Sequence, residues 1–474
     1  MTNDRLRTKV FSSGLQAISV QVLGAFFFYF ISVYLSKSDF GIISWTNAVS
    51  ILITALLGFG LEQVVVRRVA ASRQSGWAAG AFFIHAVAGF VITFLLLLLL
   101  NSAMGINAGL YKQLPWFFLA QGLIFIGVPL KQFLNAKEKF TPYGIIAIIS
   151  NAGKIVAAWL LLTGGKLYIG TTLIILICAA VFELACLLTY LLTKTSFSFK
   201  FRFGAYIKLI KESSAQYLSV IFDMSLSRMD WILLGIMTSS SILADYSFAY
   251  RAYELSRLPM LIMAPIILPR FARLLAGNGG IDAEHQEYIT SFNVAELFFA
   301  ALIPLILNVL WTPVISLITH GKYGSSNSLQ FLILSLCIPL QFFINLLWSI
   351  SFAGKKYRSV STITVTCAIT NVCLNLILIT KFNGAGAAIA FFTTALLQAI
   401  LYYRLVNRQI MAVSLRPLLI FTGEAVLIYF IVTSINVHFM FRLIIAVTLY
   451  LLTALMTGQI TRQHIVNFKN LLTK

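Results

Sequence analysis

Charged side chains are scarce in this sequence. Asp, Glu, Lys and Arg make up only 11% of its 474 residues, against about 25% in an average globular protein. Apolar and aromatic residues together reach 59%, and the mean hydropathy is +0.90. This balance excludes a water-soluble chain and predicts a protein whose solvent is the lipid bilayer.

Cysteine and histidine are also rare, with five residues of each. The cysteines lie in apolar runs without Cys-x-x-Cys spacing, so we expect no disulfide framework and no metal site. No His-Glu-x-x-His motif and no phosphate-binding Gly-x-x-x-x-Gly-Lys motif is present, and we expect no cofactor. Because the polar connections are short, a membrane-embedded glycan polymerase or transferase is the least favoured function, and we expect a transporter rather than an enzyme.

Long apolar runs dominate what remains. Fourteen of them are long enough to cross a bilayer as helices of about 20 residues, which predicts an all-α membrane protein. The first run follows basic residues as in a signal peptide, but it is too long and lacks a convincing cleavage site, so we interpret it as a retained helix. The predicted spans are 11–36, 41–63, 76–101, 114–135, 141–163, 167–193, 212–238, 242–268, 289–318, 328–353, 359–380, 384–406, 415–435 and 439–460.

The positions of the basic residues predict the orientation of these spans. If the N-terminus is cytoplasmic, the loops and adjoining span ends on that side hold 25 of the 35 Lys and Arg residues, those on the opposite side hold 6, and the interiors of the spans hold 4. This bias follows the positive-inside rule and predicts that both termini are cytoplasmic. The net charge of +20 therefore indicates topology and attraction to anionic lipids, and we expect no nucleic-acid partner.

Short motifs recur in the same order along the two halves of the chain. The stretch Ser38-Asp39-Phe40-Gly41 corresponds to Ala244-Asp245-Tyr246-Ser247, and the stretch 136–140 corresponds to 353–357. Such a repeat predicts two six-helix lobes, related by a pseudo-two-fold axis along the membrane normal, with two additional C-terminal helices. The expected divisions are an N-terminal lobe at 1–193, a cytoplasmic linker at 194–211, a C-terminal lobe at 212–407, and helices 13 and 14 with a cytoplasmic tail at 408–474.

Polar and ionisable residues within the spans are the candidate site. Such groups are costly in a bilayer and normally face a partner or a water-filled cavity, although Ser and Gln also join helices in many membrane bundles. Two interpretations stay open: a structural ion-pair network, or a hydrated, net cationic cavity for a phosphate-bearing ligand. The candidate cavity residues are Gln16, Lys154, Gln216, Asp223, Arg228, Asp230, Arg251, Glu254 and Arg257, and the candidates for coupling-ion binding are Glu183, Asp223 and Glu296.

The stretches 228–235 (Arg-Met-Asp-Trp-Ile-Leu-Leu-Gly) and 244–251 (Ala-Asp-Tyr-Ser-Phe-Ala-Tyr-Arg) carry a family resemblance. Through them the chain resembles the polysaccharide transporter branch of the multidrug/oligosaccharidyl-lipid/polysaccharide exporter superfamily, which contains O-antigen and other lipid-linked oligosaccharide flippases. A multidrug cation antiporter of the same superfamily is the alternative, and the cationic excess argues against it.

The resemblance implies a flippase that works by alternating access in the bacterial inner membrane. Its substrate would be a polyprenyl-diphosphate-linked oligosaccharide, moved from the cytoplasmic to the periplasmic leaflet. The partners expected on this basis are membrane lipid, a proton or sodium gradient, and polysaccharide polymerase and export machinery.

Overall fold

The computed structural model describes residues 3–71, 76–103, 109–195, 197, 199, 201–260, 271 and 283–459. Within these ranges the regular elements are helices and no strand occurs, which confirms the predicted all-α class. The chain divides into two compact units, Met1–Ala244 (unit 1) and Asp245–Lys474 (unit 2).

Unit 1 begins with eight helices. They are α1 (Asn3–Tyr34), α2 (Lys37–Gly58), α3 (Leu61–Ala71), α4 (Trp77–Ala103), α5 (Gly109–Ala136), α6 (Phe140–Thr163), α7 (Ile169–Lys194) and α8 (Phe203–Met237). The next helix, α9 (Ser240–Ser256), starts in unit 1 and ends in unit 2. Residues of α3, α4, α5 and α7 form a shared core that includes Val65, Phe82, Leu130 and Leu187.

The end of α2 differs from the predicted second span, 41–63. Phe59 and Gly60 adopt positive φ angles of 49° and 67°, which stop the helix at Gly58 because this left-handed geometry cannot continue it. The short helix α3 follows, with Val64 and Val65 buried. Because α3 is amphipathic, it is not part of an apolar span.

Helices α2 and α8 pack closely along their length. At one end, just beyond the last residue of α8, Gly41 lies against the backbone of Ser240, the first residue of α9. In the middle, Trp45 Nε1 donates a hydrogen bond of 3.1 Å to the Ile232 carbonyl oxygen. At the other end, Phe59 stacks on Tyr217 with ring centroids 4.1 Å apart. The two helices therefore run antiparallel and share one continuous seam.

The described residues of unit 2 form five further helices. They are α10 (Ala283–Leu310), which continues through a π-turn at Trp311–Ile315 and through Ser316–Ile318, then α11 (Ser328–Ala353), α12 (Tyr357–Gln409), α13 (Arg416–Ser434) and α14 (Phe439–Met456). Helix α12 breaks at Asn383, where φ is 51° and ψ is −130°. The break lies between the predicted spans 359–380 and 384–406, so each span corresponds to one half of α12.

Ten helices in the described part of the chain are long and apolar enough to cross a membrane. The predicted total of fourteen therefore stays a prediction, as do the pseudo-two-fold axis and the predicted domain boundaries. The compact division places α8 in unit 1, whereas the repeat-based division assigns its span to the second lobe. Helix α8 also begins at Phe203, so that the second half of the predicted linker 194–211 is helical.

Candidate functional site

Arg228 and Asp230 lie on α8 beside a buried tryptophan. Asp230 is only 1% exposed, and its Oδ1 accepts a 2.8 Å hydrogen bond from the backbone N–H of Trp231. The guanidinium carbon of Arg228 lies 5.5 Å from the centroid of the Trp231 ring. This distance allows a cation–π interaction, which offsets part of the cost of holding the guanidinium away from water.

The remaining polar face of α8 is more accessible. Gln216 is half-buried next to Gly60, and Asp223 is exposed. A carboxylate exposed within a span requires water or a polar ligand beside it, because contact with lipid is unfavourable. The side chain of Gln16, the polar candidate on α1, lies outside the described residues.

Lys154 occupies a different environment, on α6. Its Nζ is 5.6 Å from the centroid of the Phe27 ring of α1. It also lines a cavity of about 540 Å³ between α6 and α7, whose other walls are mainly apolar. Lys154 lies within electrostatic range of Glu183 on α7 and of Lys131 on α5. Glu183 itself forms an ion pair with Lys131, so this coupling-ion candidate already has a cationic partner.

The candidate residues of α9 also pair locally. Arg251 Nη1 and Glu254 Oε2 are 2.6 Å apart, one helical turn from each other, as the ion-pair interpretation predicts. Arg257 Nη1 donates a hydrogen bond of 3.0 Å to the hydroxyl oxygen of Tyr253, and the guanidinium lies over the same ring at 5.2 Å. Two guanidinium groups and one carboxylate thus lie close together in sequence, in the last turns of α9 and at the residue that follows it.

Glu296 on α10 is 3% exposed. Neither of its carboxyl oxygens has a hydrogen-bond partner among the described residues. An isolated ionised carboxylate is very costly in such a setting, so a neutral, protonated side chain fits the site better. In the described ranges, no group of three His, Cys, Asp or Glu side chains is placed to hold a metal ion.

The candidate residues divide between the two compact units. Lys154, Arg228 and Asp230 belong to unit 1, whereas Arg251 and the rest of the α9 set belong to unit 2. Their convergence on one cavity, and their roles in binding, stay predictions.

Several tertiary contacts escaped sequence reasoning. Asn375 Nδ2 donates to the Asn371 side-chain oxygen at 3.0 Å, and Asn371 Nδ2 donates to Thr394 Oγ1 at 3.3 Å, which joins the two halves of α12. The i, i+4 spacing of the asparagines is a helical signal for such a pair. The Lys131–Glu183 pair has no local signal, because its members are 52 positions apart in the sequence.

Comparison with known protein families identifies the chain. The profile of a family described as "Polysaccharide biosynthesis protein" matches residues 6–275, more than half of the sequence. The chain belongs to this family. No curated protein sequence matches it significantly.

Solved structures of membrane transporters share its fold. A structure titled "Lipid II flippase MurJ, inward closed conformation" has a TM-score of 0.74 at 15% identity and covers 94% of this chain and 98% of its own. An inward-facing multidrug resistance MATE family transporter of the MOP superfamily has a TM-score of 0.65 at 14% identity, with 85% and 97% covered. A mutant of the Vibrio cholerae MATE transporter VcmN has a TM-score of 0.59 at 15% identity, with 86% and 98% covered.

These matches confirm the predicted resemblance to the exporter superfamily. The family links the chain to polysaccharide biosynthesis, and the fold is shared with multi-pass membrane transporters, which agrees with the prediction of a transporter rather than an enzyme.

Proposed function

We propose that the protein is a flippase for a polyprenyl-diphosphate-linked oligosaccharide, such as an O-antigen repeat unit or a similar surface polysaccharide unit. It moves the headgroup by alternating access from the cytoplasmic to the periplasmic leaflet of the inner membrane, with both chain termini in the cytoplasm. Family membership supports the link to polysaccharide biosynthesis, and the flippase-like fold supports the transport of a lipid-linked headgroup.

The observation that carries the choice of an anionic headgroup is the charge at the C-terminal end of α9, where Arg251, Glu254 and Arg257 lie. Glu254 pairs with Arg251, while Arg257 donates to a neutral tyrosine hydroxyl instead. This arrangement leaves one positive charge in excess. A guanidinium whose hydrogen-bond partner is a neutral hydroxyl can bind two phosphate oxygens at once, because its donors form a planar fork.

A proton gradient is the proposed source of energy, and Glu296 is the proposed proton carrier. Its burial and its lack of a hydrogen-bond partner among the described residues favour a neutral side chain in this state. Release of the proton then requires a second state in which the side chain meets water or a cation, as alternating access provides.

The proposal is tested by surface polysaccharide production in cells whose own flippase gene is deleted. Arg257→Gln should lower export by at least about tenfold, because a charged hydrogen-bonded contact contributes about 1.5–3 kcal/mol. Arg358→Gln is the matched control, since Arg358 is exposed near the start of α12. Normal export by stably expressed Arg257→Gln would remove this residue from the mechanism, and efflux of a cationic dye without polysaccharide export would favour a multidrug antiporter.

A further inference from the structure

A pair of adjacent arginines on α3 shares a single carboxylate. Arg67 Nη2 pairs with Glu212 Oε1, and Arg68 Nε donates to Glu212 Oε2 at 2.8 Å. Glu212 lies near the start of α8, more than 140 positions along the chain. Two guanidinium groups and one carboxylate leave one uncompensated positive charge at this point.

The arginine pair is accessible from outside the protein. The side chain of Arg67 is 68% exposed and that of Arg68 is 33% exposed, while Glu212 is 28% exposed. Helix α3 buries three of its four valines, whereas the two arginines are at least partly exposed. An exposed ion pair contributes little to stability, so a ligand with more charge and more acceptor oxygens can replace Glu212 at little cost.

A phosphate-bearing group meets these requirements. A diphosphate carries at least two negative charges and several acceptor oxygens, so it can engage both guanidiniums in a bidentate manner. Glu212 supplies one negative charge and already occupies the positions that phosphate oxygens would take. Its carboxylate therefore serves as an internal substitute for the ligand.

Glu212 also helps to hold the first turns of α8 in place. This segment also contacts α4, and the same α4 residue contacts α2. Tyr206 bonds through its hydroxyl to His85 Nδ1 at 2.7 Å, and the second ring nitrogen of His85 bonds to the Leu57 carbonyl oxygen at 2.7 Å. Leu209 is fully buried in the core shared with α3 and α5. Loss of the Glu212 contact would remove one of the ties that hold this end of α8.

We propose that Arg67 and Arg68 form a binding site for a phosphate-bearing lipid headgroup, and that Glu212 occupies this site until the ligand displaces it. Displacement loosens the start of α8, at the end of the α2–α8 seam where Phe59 stacks on Tyr217. The inference rests on the proposed function only for the natural source of the headgroup, which is either the lipid-linked diphosphate substrate or an anionic lipid of the bilayer.

Binding of farnesyl diphosphate tests the site directly. The full chain is placed in phosphatidylcholine nanodiscs, and affinity is measured by isothermal titration calorimetry at constant ionic strength. Glu212→Gln should tighten binding by about fivefold, because it removes the competing carboxylate. Arg67→Gln combined with Arg68→Gln should weaken it by at least about tenfold. Lys211→Gln removes an exposed charge next to Glu212 and should change affinity by less than about twofold.

The test stays decisive even if the double arginine variant does not fold. Glu212→Gln keeps the site intact, and unchanged affinity in that variant would overturn the inference. Equal binding by the wild type and a folded double arginine variant would overturn it as well. Hydrogen exchange across residues 203–213 provides a separate measurement. The exchange rate should rise when farnesyl diphosphate binds. An unchanged rate in the saturated protein would refute displacement of Glu212.

Competition experiments identify the source of the headgroup. If the natural ligand is a bilayer lipid, phosphatidylglycerol added to the nanodiscs should displace farnesyl diphosphate. If the natural ligand is the transported substrate, only a polyprenyl diphosphate should displace it. Because binding requires no transport, arginine-dependent binding without flipping would reject the proposed function alone. Flipping without arginine-dependent binding would reject this inference alone.

Discussion

The close contact between Gly41 and Ser240 makes one substitution especially informative. A Cβ atom added at Gly41 would lie 1.9 Å from the Ser240 carbonyl oxygen and 2.6 Å from the carbonyl carbon. These are backbone atoms, so no side-chain rotation relieves the overlap. The neighbouring hydrogen bond between the Ser38 and Ser240 hydroxyl groups, 2.8 Å long, would be strained by the same movement.

The size of the effect follows from this geometry. For the new methyl group to reach ordinary van der Waals distance, α2 and the start of α9 must separate by about 1.5 Å in a closely packed region. Overpacking of this kind costs about 1–3 kcal/mol, and replacing a helical glycine returns about 0.5–1 kcal/mol. We therefore expect Gly41→Ala to lower the free energy of unfolding by about 1–2 kcal/mol.

Gly153→Ala provides the matched control in the same unit. Gly153 lies within α6 and has no atom within 4 Å of an added Cβ, so this substitution should raise the free energy of unfolding by about 0.5–1 kcal/mol. Both variants are compared with the wild type by reversible unfolding in mixed micelles. If Gly41→Ala proves as stable as Gly153→Ala, the described approach of α2 to Ser240 is incorrect.

Three other experiments test contacts elsewhere in the chain. Lys131→Met should lower the free energy of unfolding by about 3 kcal/mol, because it removes the ion-pair partner of Glu183. Adding Glu183→Leu should recover most of the loss. Equal stability of the single and double variants in mixed micelles would contradict the ion pair. Glu296→Gln should leave the free energy of unfolding nearly unchanged, because a neutral amide replaces a carboxyl that is already neutral. It should abolish the pH dependence of transport in proteoliposomes. Persistence of that pH dependence would exclude Glu296 as the proton carrier. Gly386→Ala should lower the free energy of unfolding by at least about 2 kcal/mol, because its Cβ would lie 2.1 Å from the Leu378 carbonyl oxygen. Wild-type thermal stability would contradict the close approach of the two halves of α12 at this point.

Hydropathy predicts the positions of most helices in this protein. The thickness of the bilayer sets the length of an apolar span, so runs such as 328–353 coincide with the bounds of α11. The same criterion overlooks α3, because this helix contains Glu62, Arg67 and Arg68 and its mean hydropathy is low. A helical periodicity of apolar residues within 61–71 is the signal that identifies it.

The candidate site is predictable only where its contacts are local. Arg251 and Glu254 lie three residues apart on one helix, so their pairing follows from helical geometry. The contacts of Glu183 with Lys131 and of Glu212 with Arg68 join distant helices. Such pairs depend on which helix faces pack together, and no feature of a single segment determines that.

Reconstituted flipping tests the central claim most directly. The purified chain is placed in proteoliposomes with a fluorescent polyprenyl-diphosphate-linked oligosaccharide, and the accessibility of the headgroup to a membrane-impermeant quencher is followed over time. We predict that the headgroup crosses faster than in protein-free vesicles and that Arg257→Gln suppresses this movement. Headgroup movement no faster than in protein-free vesicles, together with uptake of a cationic dye by the same vesicles, would contradict the assignment of an anionic lipid-linked substrate.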